Sequence, residues 1–314
     1  MILLLYACMH AKCPKILKFV EDILPNMIDR MRLQEHVGYL LYRKYSFQIA
    51  VLLIGPEDSG KSRLLELLRK FLGEENVSSV ELQDLSSDHF ASAELYQKYA
   101  NICADISKTT LRYSGVFKML TGGDLIDAQR KHQQRFRFVN YAKLWFSANE
   151  IPDTSDKTNA FFKRWDFFEL PNQFKGINCN PNVIDEISTP EELSGFLNWA
   201  LEGLQRLLTN KKFTDIKTLE QRKEVWLLGS SSLYKFVKNC VVQEDFNETK
   251  EDFYSAYTKY CQQHGLAAID KRVVSRELPR LFPDVRDYYR RESGKQVWVW
   301  KGIRIVGEKP NSND

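Results

Sequence analysis

The sequence predicts an α/β fold built on a parallel sheet, with a small helical region before it and a helix–helix–helix–hairpin unit after it. Three observations predict this. Ile49-Ala50-Val51-Leu52-Leu53-Ile54 is an apolar run of strand length, suited to burial on both faces. It leads into Gly55-Pro56-Glu57-Asp58-Ser59-Gly60-Lys61-Ser62, and then into Ser62–Leu72, whose leucines recur at helical spacing. Two further apolar runs end in polar residues, Tyr99–Asp105 and Ala142–Asn149, as buried strands feeding a functional edge do.

A chain of 314 residues suits about two domains with a sizeable core. With 43% hydrophobic and 27% charged residues it has an ordinary globular balance, not that of a disordered or fibrous chain. The net charge of +4 does not mark the whole chain as a nucleic-acid binder, so local distribution matters more. Cys8, Cys13, Cys103, Cys179, Cys240 and Cys261 are scattered and read as reduced thiols in a cytosolic setting. Cys8, His10 and Cys13 lie close together but lack a fourth ligand at the spacing of structural zinc sites. The apolar stretch Met1–Ala7 has no basic flank and is too short to span a membrane, and no other window approaches that length.

Taken in order, residues 12–45 read as helical, interrupted at Pro25. The stretch Gly55–Ser62 has the spacing G-x-x-x-x-G-K-[ST], a phosphate-binding loop between strand and helix. Such a loop aims backbone N–H groups and a helix N-terminus at phosphate. Lys61 would reach the β- and γ-phosphates, and the Ser62 hydroxyl would ligate Mg²⁺. Leu72-Gly73 stops the helix, Val80-Glu81-Leu82 reads as a short strand, and Ala91–Lys98 as a helix. Asp105, closing the next strand, is a candidate to hold Mg²⁺ or its water; the alternative is a helix cap.

Leu111–Leu120 reads as a helix stopped by Thr121-Gly122-Gly123-Asp124. Ile126–Val139 reads as a hairpin with Arg130-Lys131-His132 near its tip. Its second arm, Gln134-Arg135-Phe136-Arg137-Phe138, alternates, giving one basic and one apolar face. Such a tip would gain from a phosphate backbone, or would serve as a charged edge that blunts aggregation. Asp166–Leu170 reads as a strand, and Thr189-Pro190-Glu191-Glu192 as a capping box opening a long amphipathic helix.

From about Gly229 two helices, a third over 271–280 and a hairpin over 288–306 have the order of a winged-helix module. Residues 271–304 carry ten basic and four acidic residues, a local excess above the whole-chain charge. Arg272, Arg276 and Arg280 recur every four residues and share a helix face, for phosphate contact or for solvent. Trp298 and Trp300 are two apart, so they face the same side of a strand, for core packing under the wing in preference to base stacking. The expected boundaries are a helical region 1–45, a P-loop core 46–175, a helical connector 176–228, a winged-helix unit 229–306 and a tail 307–314.

The ordered set Gly55–Ser62, Ala100–Asp105, Lys118–Asp124, Lys131, Ala142–Pro152 and Phe161–Trp165 resembles the superfamily 3 helicase domain of phage, plasmid and poxvirus-type primase-helicases. The resemblance runs from about residue 12 to the C-terminus. It implies an AAA+-type three-layer α/β core and an ATP-dependent DNA helicase of viral or plasmid replication. Such an enzyme uses ATP and Mg²⁺ at the inter-subunit sites of a hexameric ring. Lys61 and Ser62 would be the Walker A pair, Asp105 the Walker B acid and Asn149 the sensor 1 residue. Lys163 and Arg164 match the finger donated to a neighbouring subunit, and Lys131 with His132 the tip of a DNA-gripping hairpin. The family often has two adjacent acids where this chain has Asp105-Ile106. Single-stranded or forked DNA and a separate primase or polymerase are the implied partners, with 3′→5′ polarity and a cytoplasmic location in the host. No segment here is long enough for the primase–polymerase domain that often precedes the ATPase. A second function is compatible with the solitary acid: an origin-binding or assembly protein controlled by ATP, without unwinding.

Overall fold

Pro25 separates the first two helices of the computed structural model, which describes residues 11–88, 90–176, 180–292 and 295–308. In α1 (Pro14–Ile23) the proline sits in the first turn, and in α2 (Met27–Leu40) the Asn26 side chain accepts the Ile28 N–H. There follow β1 (Ala50–Ile54), α3 (Lys61–Leu72), β2 (Val77–Ser78), α4 (Leu82–Ser87), β3 (Ala100–Cys103) and α5 (Gly115–Gly122). Next come β4 (Leu125–Gln129), β5 (Arg135–Val139), β6 (Lys143–Ala148), α6 (Asn159–Phe162) and β7 (Trp165–Glu169). Then come α7 (Val183–Ile187), α8 (Pro190–Asn210), α9 (Leu219–Ser230), α10 (Ser232–Cys240) and β8 (Val241–Thr249). The order closes with α11 (Lys250–Gln263), α12 (Lys271–Leu281), β9 (Arg286–Glu292) and β10 (Lys295–Ile305). The Met1–Ala7 run, Cys8, His10, Cys179 and the tail from residue 309 lie outside the described residues.

Two units emerge, Met1–Glu224 and Val225–Asp314. The first is mixed α/β, with a five-stranded parallel sheet in the order β2-β3-β6-β1-β7. Alternation puts Val51, Leu53, Ile102, Trp145 and Phe168 in a core with α1, α2, α3 and α8. On the other face Trp165 stacks on Phe117 of α5 at 4.7 Å and meets Phe146 and Phe161. Burial on both sides explains why β1 reads as an unbroken apolar run.

The helical region is tied to the sheet by buried polar groups. Asp166 of β7 accepts from His36 Nε2 at 2.8 Å and pairs with Arg32 Nε at 3.2 Å, all three within 2% of full burial. Glu35, also buried, accepts from Arg206 of α8 at 2.7 Å and from the Thr214 N–H and hydroxyl. The capping box is half realised. Thr189 accepts the Glu192 N–H, but the Glu192 carboxylate reaches the first N–H groups of α1, at Lys15 and Ile16.

Three stretches differ from the elements expected of them. Val80–Leu82 is not a strand: the Asn101 side-chain amide bonds both the N–H and the carbonyl of Val80, ending the pairing after Ser78, and Leu82 begins α4. Ala91–Lys98 holds only a 3₁₀ turn, Ala91–Leu95. Leu111 forms a bridge to Thr154, so α5 starts at Gly115.

The second unit has a three-stranded antiparallel sheet in the order β8-β10-β9. No local spacing marks β8, because Glu244, Asp245 and Asn247 mask its alternation; its pairing partner is remote. Val274 and Leu278 of α12 join Phe236, Phe253, Tyr257 and Trp300 in the core. Trp298 departs from expectation. It shares a face with Trp300, with Lys250 Nζ over both rings, but Trp300 is buried whereas Trp298 is 47% exposed.

Candidate functional site

Parallel pairing sets the site. Ile54 pairs with Ala148, and Cys103 with Phe146, so the loops leaving β1, β3 and β6 emerge side by side at one sheet edge. They bring Lys61, Ser62, Asp105 and Asn149 to the wall of one cavity of about 1370 Å³.

The loop after β1 depends on its glycines. A Cβ at Gly55 (φ +153°) would lie 2.4 Å from the Leu170 carbonyl oxygen. Gly60 caps α3 at φ +90°, a left-handed conformation, and a Cβ there would lie 2.6 Å from Ile23. The Phe174 N–H donates to the Asp58 carbonyl at 2.9 Å, bracing the loop from the segment after β7. Lys61 is buried, and its ammonium donates to the Gly55 and Pro56 carbonyls at 2.8 and 2.7 Å and to Ser59 Oγ at 3.2 Å. Burial lowers the Lys61 pKa, opposed by the charges of Asp105, Glu57 and Asp58. Ser62, one residue into α3, is exposed at the cavity.

Asp105 is exposed, in a left-handed backbone conformation at φ +51°. Its N–H donates to Ser147 Oγ at 3.0 Å, and the Ile106 N–H donates to the Ser147 carbonyl at 2.9 Å. Ser147 thus locks the exit of β3 against β6 and holds Asp105 beside Asn149. The sequence reading missed Ser147; its one signal is a polar residue inside an otherwise apolar strand. Also missed was the apolar wall of the cavity, made by Phe19 and Ile23 of α1 with Phe174, Val183 and Ile187.

Arg164 does not line this cavity. It immediately precedes β7, and its carbonyl accepts the Ala50 N–H at the start of β1. It therefore lies at the opposite end of the strands, about 16 Å of chain away. Its Nε donates to Thr121 Oγ1 at 3.0 Å and its Nη1 to the Ala160 carbonyl at 2.5 Å, and burial lowers its pKa. Lys163 is exposed. Lys118, on the same helix as Thr121, donates to Asp156 at 2.8 Å, so α5 is tied twice to the segment around α6.

The β4–β5 hairpin presents Arg130, Lys131 and His132 at an exposed turn, with His132 at φ +62°. Phe136 and Phe138 pack on Tyr96 at 5.0 and 5.5 Å, leaving Arg135 and Arg137 on the exposed face. In the second unit Arg272, Arg276 and Arg280 lie on the exposed side of α12. Arg276 and Arg280 both reach Glu277, at 3.1 and 3.2 Å. No group of three or more His, Cys, Asp or Glu able to hold a metal occurs among the described residues. No described helix is long and apolar enough to cross a membrane.

Comparison with known proteins adds context to this geometry. Residues 53–164 match a family of unknown function, DUF5906. The chain is 22% identical over 316 residues to "Putative primase C962R" of African swine fever virus, covering 93% of this chain and 32% of that protein. It is 26% identical over 138 residues to "Replication protein E1" of pygmy chimpanzee papillomavirus type 1C, covering 44% of this chain and 20% of that protein. The chain thus spans about a third of the curated primase it matches. Its fold is similar to the apo structure of the NrS-1 C terminal region, with TM-score 0.50, 14% identity and coverage of 94% of this chain and 78% of that one. Along most of its length the chain is thus similar to part of a viral primase, and over 138 residues to part of a viral replication protein.

Proposed function

We propose that this chain hydrolyses ATP with Mg²⁺ and uses the energy to translocate on single-stranded DNA in a viral or plasmid replication system. One observation carries the reading: Lys61, Ser62, Asp105 and Asn149 converge on one cavity at the ends of three adjacent parallel strands.

The residues fit a nucleoside triphosphate. The close approaches at Gly55 and Gly60 leave a backbone cradle that side chains would fill. Lys61 would exchange its two loop carbonyls for phosphate oxygens, regaining charge partners for a buried ammonium. Ser62 and Asp105 would hold Mg²⁺, and the Asn149 amide would orient the attacking water. Phe19, Ile23 and Phe174 offer an apolar surface for the nucleobase. The bound magnesium nucleotide supplies the phosphoryl group whose transfer to water releases the energy.

Arg164 lies at the far end of the sheet from this chain's own cavity, which supports a role in a neighbour's site. A finger of this kind supplies about 10³–10⁵ in rate, so turnover would require a ring, proposed as a hexamer. The Lys131 hairpin, with Arg130 and His132, would grip the DNA backbone, and α12 with Arg272 and Arg276 in the proposed winged-helix unit would add phosphate contacts. The order α10, β8, α11, α12, β9, β10 supports that winged-helix reading. A separate primase or polymerase would be a natural partner, and the host cytoplasm the place of action.

A second reading is favoured by one observation: Ile106, beside Asp105, is buried, so this loop offers a single acid. On that reading ATP governs assembly or origin binding without unwinding. DNA-stimulated ATPase and strand-displacement assays separate the two. Lys61→Ala is expected to abolish turnover, whereas Lys131→Ala should retain turnover and lose unwinding. Absence of hydrolysis by the wild-type chain with DNA and Mg²⁺ present would end the helicase reading.

A further inference from the structure

The exposed end of the β9–β10 ribbon carries a cluster that neither the ATP cavity nor the α12 arginines use. Tyr288, Tyr289 and Trp298 are 53, 49 and 47% exposed. They form a run of contacting rings. Tyr288 and Tyr289 lie 6.0 Å apart and 18° from parallel, and Tyr289 meets Trp298 at 5.7 Å. Register explains the second contact, because Trp298 pairs directly with Tyr289 across the ladder and the two share a face. On that face the next pair toward the core is Trp300 with Asp287, where Trp300 packs on Phe253 and is buried. The same face is therefore core at Trp300 and half-exposed at Trp298, where Lys250 Nζ lies 5.4 Å from the ring centroid.

Three half-exposed rings at the open end of a two-stranded ribbon add little to the stability of this unit, whose core closes over Trp300. The surrounding charges indicate what they meet. Arg291 is exposed two residues beyond Tyr289 on the same face, and Arg286, paired with Lys301, is exposed on the opposite face beside Tyr288. The neighbouring acid, Asp287, is already paired with Lys250 at 2.8 Å. Flat aromatic faces flanked by exposed cations match unpaired bases on a phosphate backbone: every base has a π face, and each phosphate seeks a cation. A duplex keeps its base faces covered, so stacking selects a single strand.

We propose that Trp298 and Tyr289 form a stacking platform for unpaired bases of single-stranded nucleic acid, with Arg291 on the same face holding its phosphates. This surface is distinct from the Lys131 hairpin and from the α12 arginines, and its operation does not require nucleotide hydrolysis.

The test uses the full chain without nucleotide, titrated with oligothymidine and with an abasic oligomer of equal length and charge. Wild type is expected to prefer oligothymidine, and the preference should persist at raised salt, where phosphate contacts weaken. Trp298→Leu should lower oligothymidine affinity by about fivefold or more while leaving abasic binding unchanged, and Trp298→Phe should restore most of the loss. Tyr289→Ala, on an exposed edge position, should act in the same direction if the leucine variant does not fold. Oligothymidine should also quench the fluorescence of Trp298, the most exposed of the described tryptophans. Equal affinity of wild type for the two oligomers, or unchanged oligothymidine affinity in folded Trp298→Leu and Tyr289→Ala, would overturn the platform. Capture of a protein partner by this face with no base-dependent affinity would overturn it as well.

Discussion

The two units of this chain are held together by different means. In the first, Arg32, Glu35, His36, Lys61, Lys143 and Asp166 are all buried, each with named partners. Lys143, for instance, donates to the Tyr42 and Tyr141 carbonyls at 2.7 Å and lies over the Tyr39 ring. Among the described residues of the second unit no charged side chain is buried; its core is Phe236, Phe253, Tyr257, Leu278, Trp300 and their apolar neighbours. Apolar packing is non-directional and tolerates small shifts, whereas a buried ion pair works only in one geometry. The difference follows the work proposed for each. A phosphoryl-transfer site needs its loops held to fractions of an ångström, while a nucleic-acid surface needs its charges and rings outside.

The sharpest way to test this contrast is to remove a directional contact at the proposed finger. Arg164→Ala is expected to lower turnover by about 10³-fold or more while nucleotide affinity stays within a few-fold. ATPase rates and binding of a fluorescent ATP analogue check it; near wild-type hydrolysis would refute the assignment. Next in size, Asp166→Asn should destabilise the first unit by about 3–5 kcal/mol, because it removes the buried carboxylate that both Arg32 and His36 engage and leaves Arg32 with Asp29 alone. The matching change in the second unit is Leu278→Ala, at about 2–5 kcal/mol from transfer and cavity terms. Denaturant unfolding of both variants measures this, and a negligible effect of Asp166→Asn would break the comparison.

Acid should separate the units further. Burial lowers the His36 pKa. Burial would raise Asp166, but the His36 hydrogen bond and the His36 and Arg32 charges hold it below the usual carboxylate value. In both cases the unfolded chain takes up the proton first as pH falls, so stability declines with falling pH. The loss begins below about pH 6.5 through His36 and continues below about pH 4 through Asp166. Thermal unfolding between pH 8 and 4 reads it, and a flat profile down to pH 5 would remove His36 from the account. The smallest effects belong to the exposed arginines. Arg272→Ala should weaken DNA binding a few-fold and reduce the salt slope by about one. Arg276→Ala should do less, because Glu277 already engages that guanidinium. Equal losses would show that the Glu277 contact does not compete.

Much of the candidate site was legible because it is local. The turn Gly55–Ser62 lies between its strand and its helix within consecutive residues, and a Cβ at Gly55 or Gly60 would meet the Leu170 carbonyl or Ile23. Asp105 and Asn149 could be picked out as polar residues closing apolar runs, and both line the Lys61 cavity. The roles of Ser147 and of the Phe19 wall were not legible. Ser147 acts through a neighbouring strand, and Phe19 reads from its helix as ordinary core. The strand expected at Val80 failed for a similar reason, since Asn101 intercepts it from the next strand.

By itself the sequence determined the element types of the long periodic segments, the glycine turn of Gly55–Ser62 between strand and helix, the basic hairpin turn and the arginine stripe of α12. These follow from backbone geometry and short-range periodicity, which neighbours in sequence specify. Tertiary structure alone decided the order of the strands, the pairing that sets Asp105 beside Asn149, the diversion of Glu192 to cap α1 and the strand β8. It also decided that of two tryptophans on one face of β10 one is core and the other open. Strand pairing and burial depend on which remote segment arrives alongside, and no local spacing encodes where the covering helix ends.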